Sequence, residues 1–106
     1  MGIIKNIEKL SSYQKELNGH PGKLILIDFH AQWCGPCHSI APSLKTIAER
    51  NDIIVLKVDV DEAEEITRLE EVSAMPTFKL YKNNHLVSQF EGANEEQLRQ
   101  VVRANL

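Results

Sequence analysis

Residues 24–37 have the sequence LILIDFHAQWCGPC, and this stretch decides the fold. Its first part, residues 24–29, is a compact apolar segment typical of a buried strand. Helical periodicity begins just after the two cysteines, so Cys34 and Cys37 fall at a strand-to-helix junction. A helix N-terminus supplies partial positive charge and free N–H groups, and both favour a thiolate over a thiol. The pair is therefore a candidate catalytic centre and not merely a structural link.

The length and composition favour one soluble globular domain covering residues 1–106. Hydrophobic residues make up 42% of the chain and charged residues 25%, which is ordinary for a globular protein. The net charge is −3 and the basic residues are scattered, which argues against nucleic acid as the main partner because phosphate binding needs a basic face. No segment approaches the roughly 18 apolar residues of a membrane span, so we expect no membrane association.

The N-terminus lacks a basic region followed by an apolar one, so we expect no signal peptide and a cytoplasmic location. In a reducing compartment, an isolated C-x-x-C pair is more often catalytic or metal-binding than structural. A static disulfide therefore remains open as an alternative, but a weaker one.

A metal-binding module is the main alternative from another functional class. His30 and His38 flank the two cysteines, and together the four side chains form a nitrogen and sulfur set that could ligate zinc. Structural zinc sites usually draw their ligands from two separated pairs, whereas here all four lie within residues 30–38. We therefore expect no metal at this position.

The first half of the chain predicts two strands and two helices. A short strand begins at Ile3, and a helix with apolar residues at helical spacing ends near Gly19. A second strand covers residues 24–30. The next helix begins at Cys37 by its periodicity, and Pro42 should kink it because proline removes one intrahelical hydrogen bond.

The second half predicts a strand, a helix, a hairpin and a last helix, at residues 53–60, 62–71, 77–90 and from 94 onward. The hairpin is indicated by alternation on both sides of Asn83-Asn84, and Asn94 with Gln97 is typical of a capped helix start. The resulting order of elements predicts an α/β fold with a central mixed five-stranded sheet flanked by four helices.

The same helical periodicity predicts which side chains of the last two helices face the core and which face solvent. Inward positions are predicted at Ala63, Ile66, Leu69, Leu98, Val101, Val102 and Leu106. The acidic side chains of the shorter helix are interpreted as a solvated face: Glu62, Glu64, Glu65, Glu70 and Glu71.

The motif, the element order and the length together resemble the thioredoxin family over essentially the whole chain. The sequence Trp33-Cys34-Gly35-Pro36-Cys37 is similar to the active-site motif of that family. Four more positions match landmarks of the family. Asp28 corresponds to a buried aspartate and Lys57 to a strand lysine near it. Pro76 corresponds to a cis-proline, and Gly92 to a glycine beside the active site. Together these landmarks imply the thioredoxin fold.

Three positions depart from the usual pattern of the family. His38 follows the second cysteine where lysine is more common, and His30 stands where an aromatic or small residue is frequent. Ala74 occupies a position where some animal members carry an extra cysteine. The two histidines could alter partner choice or the charge near the thiolate.

The resemblance implies thiol–disulfide exchange between this chain and protein disulfides. Cys34, at the mouth of the helix, is expected to be exposed and to attack. Cys37, one turn inside on the apolar face, is expected to be the buried resolving thiol. Asp28 would accept the proton of Cys37 through water, with a pKa raised by burial, and Lys57 would modulate its charge. An exposed position for Asp28 at the end of the strand is the alternative.

The residues around the cysteines are expected to tune the exchange and to bind substrate. Gly35 and Pro36 donate no side-chain hydrogen bond to the thiolate, which favours a reductant over an oxidase or isomerase. A cis bond at Pro76 would expose the Met75 backbone to an extended substrate strand. Trp33 is expected to form an apolar contact surface, and the alternative is that it fills the core. Its expected companions there are Ile40, Met75 and Ala93.

No bound cofactor is expected, because no segment resembles a nucleotide-binding loop. The resemblance implies that electrons arrive from NADPH through a thioredoxin reductase and leave to disulfide-containing protein substrates. We expect a monomer. A redox-dependent binding subunit, in which the same surface holds a partner and turnover is incidental, remains the second alternative.

Overall fold

The computed structural model describes all residues, 1–106, as one five-stranded sheet with helices on both faces. The strands and helices follow one another along the chain as β1 (Ile3–Asn6), α1 (Leu10–Asn18), β2 (Ile25–His30), α2 (Gly35–Arg50), β3 (Ile54–Asp59), α3 (Glu64–Leu69), β4 (Thr77–Lys82), β5 (His85–Glu91) and α4 (Glu95–Ala104). The predicted α/β fold with five strands and four helices is confirmed. None of the helices combines the length and the apolar character needed to cross a membrane.

The strand order in the sheet is β1-β3-β2-β4-β5. The first three strands in the chain pair in parallel, and β4 and β5 join them antiparallel. The carboxyl ends of β2 and β3 therefore meet at the same edge of the sheet, where their following loops come together.

The alternation of side chains along the central strands separates two cores. One core packs the sheet against α2 and α4 and includes Leu24, Leu26, Ile40, Leu44, Val55 and Phe78. The other packs the opposite face against α1 and α3 and includes Tyr13, Ile25, Ile27, Phe29, Leu56 and Ile66. Because β2 is covered on both faces, its nearly continuous apolar sequence is explained.

The helix α2 begins at Gly35, two residues before the position that the periodicity predicts. Pro36 lies in its first turn, where a missing N–H costs nothing and the fixed φ suits the helix. The helix then continues through Pro42 to Arg50. As a result, Cys34 lies at the cap and Cys37 in the first turn, at the carboxyl end of β2.

The helix α3 is shorter than predicted. At its start, the N–H groups of Glu62 and Ala63 both donate to the Asp59 carbonyl, so these residues form a turn. Just past its end, Glu71 adopts a left-handed backbone with φ 55°. Leu69 is the last helical residue and is exposed, so its predicted inward position is wrong.

The C-terminal elements follow the prediction except at the last residue. Asn83 and Asn84 have φ values of 51° and 62°, as a two-residue type I′ hairpin turn requires. The Asn94 side chain accepts a hydrogen bond from the Gln97 N–H at 3.0 Å, so the predicted cap is confirmed. Leu106 is exposed because α4 ends at Ala104, and its predicted inward position is wrong.

Candidate active site

The two cysteines are joined by a disulfide at the N-terminus of α2, with their Cα atoms 5.3 Å apart. Cys34 is the N-cap residue, and its Sγ accepts a hydrogen bond from the backbone N–H of Cys37 at 3.2 Å. A donor aimed at sulfur and the positive end of the helix both favour negative charge on that atom. The geometry thus marks Cys34 as the thiol whose ionised form the helix stabilises after reduction.

Exposure does not distinguish the two cysteines in this oxidised state. Cys34 is 4% exposed and Cys37 is 7% exposed, so the predicted exposure of Cys34 is wrong here, whereas the predicted burial of Cys37 is confirmed. Both pack with the buried Ala31, and Val60 and Met75 cover them further. The chain on either side of Cys34 is open, however, because Trp33, Gly35 and Pro36 are exposed.

Trp33 lies on the surface, with 68% of its area exposed. Its indole Nε1 donates to Asp61 Oδ2 at 2.9 Å, and the Asp61 N–H donates to Asp59 Oδ1 at 2.9 Å. The loop after β3 therefore holds the tryptophan beside the cysteines, which excludes the alternative that Trp33 fills the core. Asp61 is a site residue that the sequence did not indicate, since its partner lies 28 positions away.

The predicted apolar surface around Trp33 is only partly present. Ile40 is 1% exposed and belongs to the core between α2 and the sheet, so its predicted place on this surface is wrong. Ala93 is partly buried against the same core. Met75 is partly exposed and packs against the cysteine pair.

Asp28 is a buried carboxyl, 3% exposed. Burial raises its pKa to about 6, and the positive charge of Lys57 opposes that rise. Lys57 stands directly across from Asp28 in the parallel register of β2 and β3. Asp28 Oδ1 has no hydrogen-bond partner in the protein. The alternative of an exposed aspartate at the end of the strand is excluded.

The peptide bond between Met75 and Pro76 is cis, as the resemblance implies. The Pro76 carbonyl accepts the N–H of Gly92 at 2.9 Å, so the loop before β4 and the loop after β5 are joined next to Met75. Gly92 has φ 99°, a conformation that side chains disfavour. The backbone conformation therefore accounts for the glycine at this position, and no contact with a ligand is needed to explain it.

The two unusual histidines lie on different sides of the disulfide loop. His38, in the first turn of α2, donates from Nε2 to the Gln32 carbonyl at 2.8 Å and thereby links the two ends of the loop. His30 ends β2 and is half-buried, with Asp59 opposite it on β3. Burial and the nearby Lys57 lower the pKa of His30 below its usual 6.5.

Glu70 is a second residue whose place the sequence analysis missed, since it was assigned to a solvated face. It accepts hydrogen bonds from the hydroxyls of Tyr13 and Tyr81, and burial of these groups raises the pKa of both tyrosines. Lys79 Nζ donates to the Glu70 carbonyl at 2.6 Å. The start of the segment that leads to Pro76 is thus fixed to α1 and β4.

The structure brings together no group of three or more His, Cys, Asp or Glu side chains that could hold a metal ion. In particular, His30 and His38 do not converge on the sulfurs: one stands opposite Asp59 on the sheet, and the ring of the other bonds the Gln32 carbonyl. The two cysteines instead form one disulfide, which can be reduced to a dithiol, and a buried carboxyl lies on the adjacent strand.

The chain is similar to known proteins over nearly its whole length. A sequence model described as Thioredoxin matches residues 5–104. A thioredoxin from Ophiophagus hannah is 38% identical over 102 residues, which cover 95% of this chain and 97% of that protein. The crystal structure of reduced Schistosoma mansoni thioredoxin pre-protein matches with a TM-score of 0.93 at 37% identity, covering 100% of both chains. The X-ray structure of Fasciola hepatica thioredoxin gives 0.89 at 38% identity, also over 100% of both.

Proposed function

The chain belongs to the thioredoxin family, and on that premise we propose that it reduces protein disulfides through a mixed disulfide on Cys34 that Cys37 resolves. Family membership and the cysteine pair make the protein a thiol–disulfide oxidoreductase, and more specifically a protein-disulfide reductase. Residues 1–106 act in this proposal as a single thioredoxin domain. The hydrogen bond from the Cys37 N–H to the Cys34 Sγ is the observation that supports the division of roles.

In the first step, the Cys34 thiolate attacks one sulfur of a substrate disulfide. A new sulfur–sulfur bond forms between Cys34 and the substrate, and the other substrate sulfur leaves with the electron pair. The helix N-terminus and the Cys37 N–H stabilise the attacking anion. Trp33, Gly35 and Pro36 leave the approach to Cys34 open because all three are exposed.

In the second step, Cys37 attacks the Cys34 sulfur, and the remaining substrate sulfur leaves. The Cys37 thiol must lose its proton for this attack, and Asp28 is the acceptor that we propose, acting through water. Its pKa of about 6 lies close to the working pH, which suits a group that takes and returns a proton. Lys57 holds that pKa below the value that burial alone would give.

Substrate binding is proposed to use the backbone around the cis-proline. The Met75 main chain lies beside the disulfide, since its side chain packs against the two cysteines. An extended substrate segment can pair there through main-chain hydrogen bonds and is then recognised largely without regard to sequence. Gly92 adds a surface without a side chain next to it, and Trp33 adds an exposed aromatic face.

The direction of electron flow is proposed from the residues between the cysteines. Gly35 and Pro36 have no side-chain donor for the Cys34 thiolate, so the reduced form gains no extra stabilisation and the protein acts as a reductant. NADPH would re-reduce it through a thioredoxin reductase. We also propose that the protein is a cytoplasmic monomer that takes part in electron transport and in cell redox homeostasis.

The test is reduction of insulin disulfides with NADPH and a thioredoxin reductase. The wild-type protein should turn over, and Cys34→Ser and Cys37→Ser should each abolish turnover. An exposed substitution far from the site, such as His85→Gln, is the control for folding and should be fully active. Turnover by Cys34→Ser would overturn the proposed roles.

A further inference from the structure

Four ionisable side chains form two facing pairs at the carboxyl ends of the central strands. The parallel register places Asp28 opposite Lys57 and His30 opposite Asp59. Because side chains alternate along a strand, Asp28 and His30 project from the same face of β2. This is the face that α2 covers, since Leu24 and Leu26 of the same alternation pack against that helix.

Asp28 has little direct access to solvent, because the residue is 3% exposed and its Oδ1 is buried without a partner in the protein. A carboxyl that takes a proton in every turnover must nevertheless lose it again. Lys57, its neighbour across the register, carries no lone pair in its ammonium form and cannot accept that proton. A neighbouring group that exchanges protons with bulk water would therefore speed this release.

A polar cavity of about 200 Å³ opens at this edge of the sheet. Two of the neighbours of Asp28 on this face, His30 along the strand and Lys57 across it, line the cavity. Its other lining groups include Glu8, Gln32, Asp59 and Glu62. The cavity thus reaches from solvent to the residues that adjoin Asp28, and His30 is the only one of these that can both accept and donate a proton near neutral pH.

We propose that His30 relays the proton between Asp28 and the solvent in this cavity. The inference rests on the proposed role of Asp28 as the proton acceptor for Cys37. Residues two apart on a strand have Cα atoms roughly 6.5–7 Å apart, and one bridging water can connect polar side chains over such a gap. His30 acts through Asp28 and is therefore a positioning residue for the proton rather than a catalytic residue.

The proton moves as follows when the mixed disulfide is resolved. The Cys37 thiol gives its proton through water to the Asp28 carboxylate as its sulfur bonds to Cys34 and the substrate sulfur leaves. Asp28 passes the proton through water to the neutral ring of His30, which releases it to water in the cavity. When a reductase opens the Cys34–Cys37 disulfide, the same path runs in reverse and returns a proton to Cys37.

The charges around His30 keep its ring in the neutral, accepting form. Burial and Lys57 lower the pKa of His30 below 6.5, His38 on α2 lowers it slightly further, and Asp59 opposes these effects. Burial meanwhile raises the pKa of Asp28 from 3.8 to about 6. The pKa of Asp28 is thus raised while that of His30 is lowered, and shifts in these opposite directions ease proton transfer from the carboxyl to the ring and back. The cavity also carries Glu8 and Glu62 at its surface.

The experiment measures how fast the mixed disulfide with insulin decays in a single turnover, by acid quench and mass spectrometry between pH 5 and 9. His30→Gln should slow the decay about tenfold, which is below the ~10²–10⁴-fold effect of a group in direct contact with the reacting proton. His30→Ala should be slowed as well and should recover when imidazole is added. The wild-type protein and the matched control His85→Gln, an exposed histidine on β5, should show no dependence on imidazole.

Asp28→Asn measured alongside separates the inference from the role on which it rests. If Asp28→Asn is slow and His30→Gln decays at the wild-type rate at every pH, the relay is overturned and the role of Asp28 stands. If Asp28→Asn also decays at the wild-type rate, both are overturned. A slow His30→Ala that imidazole does not restore has a structural cause, and this too contradicts the relay.

Discussion

Asp28 and Lys57 stand side by side in the parallel register of β2 and β3, but they form no ion pair within 4 Å, and Asp28 Oδ1 has no hydrogen-bond partner. Lys57 is only half-buried, so its ammonium can lie toward water while the carboxyl stays in the protein. The lysine therefore lowers the pKa of Asp28 from a distance without fixing the group in its ionised form. A buried acid–base group of this kind lowers the free energy of unfolding, and this loss of stability can be measured.

Asp28→Asn should make the protein more stable at pH 8. The folded-state pKa of about 6 lies above the ordinary 3.8, so the folded protein binds more protons between these values and its stability falls as the pH rises through that window. The shift corresponds to about 3 kcal/mol, present in full above pH ~6 and absent below pH ~4. Urea unfolding at pH 4 and at pH 8 measures this difference in unfolding free energy. The surface substitution Asp52→Asn is the control. An equal effect of Asp28→Asn at pH 4 and pH 8 contradicts the raised pKa.

Cys34 should titrate well below the ordinary thiol pKa of about 8.5 once the disulfide is reduced. The reason is the pair of contacts at its sulfur, the Cys37 N–H and the N-terminus of α2. The rate of iodoacetamide alkylation as a function of pH measures this in Cys37→Ser, where Cys34 is the only thiol. Alkylation of Cys37 in Cys34→Ser gives the comparison and should require a higher pH. If the two curves coincide, the helix terminus does not distinguish the sulfurs.

Asp61→Asn should weaken substrate binding more than turnover. The Trp33 indole donates to the Asp61 carboxylate at the surface, and a hydrogen bond to a charged group contributes about 1.5–3 kcal/mol, with exposed bonds at or below the lower end. Loss of the charge should loosen the indole and raise KM for insulin by roughly five-fold, a change of about 1 kcal/mol, with kcat nearly unchanged. Asp52→Asn should leave both constants as they are. An unchanged KM in Asp61→Asn indicates that this contact does not position Trp33 for binding.

Glu70→Ala should destabilise the fold by about 2–4 kcal/mol, because it removes the carboxylate that pairs with the buried Lys79 ammonium at 3.3 Å and accepts from two tyrosine hydroxyls. Lys79 and Tyr13 are both buried in the folded protein, so water cannot replace the lost carboxylate freely. Thermal or urea unfolding measures the change. Glu65→Ala is the matched control, an exposed glutamate on α3, the helix that ends just before Glu70, and should change the stability by less than about 0.5 kcal/mol.

Gly92→Ala should cost about 1–2 kcal/mol of stability through the backbone alone. A Cβ at this position would meet no atom within 4 Å, but the φ of 99° is unfavourable for any side chain. Gly35→Ala provides the comparison, because Gly35 also has open space and no positive φ, and its unfolding free energy should not fall. Equal losses in the two variants would show that the backbone conformation at Gly92 is not the cause.

The sequence predicted those features that depend on neighbouring residues. The apolar run before Cys34, the Asn83-Asn84 turn and the Asn94 cap all act through contacts within a few positions, and each is found in the structure. Asp28 was correctly expected to be buried, because a charged residue inside a fully apolar strand has few alternatives. The cis bond at Pro76 followed from family resemblance rather than from local sequence.

The errors concern residues whose surroundings are set by distant parts of the chain. Glu70 looks like one more glutamate of an acidic helix, but Tyr13 and Tyr81 reach it from two other elements. The prediction that Cys34 is exposed was wrong, because in the disulfide its sulfur lies against the core side of the loop. Leu69 was misplaced since helical periodicity gives a face but does not say where a helix ends. Ile40 was expected beside Trp33 at the surface, but α2 packs it into the core.

The most direct test of the central claim is to trap the covalent intermediate with insulin and identify it by mass spectrometry of reduced variants. Cys37→Ser should accumulate a stable mixed disulfide between Cys34 and the substrate, because the serine hydroxyl cannot resolve it. Cys34→Ser, which keeps the other cysteine, should form little or none. Accumulation through Cys37 in Cys34→Ser, or no adduct in Cys37→Ser, would contradict the assignment of Cys34 as attacking and Cys37 as resolving thiol.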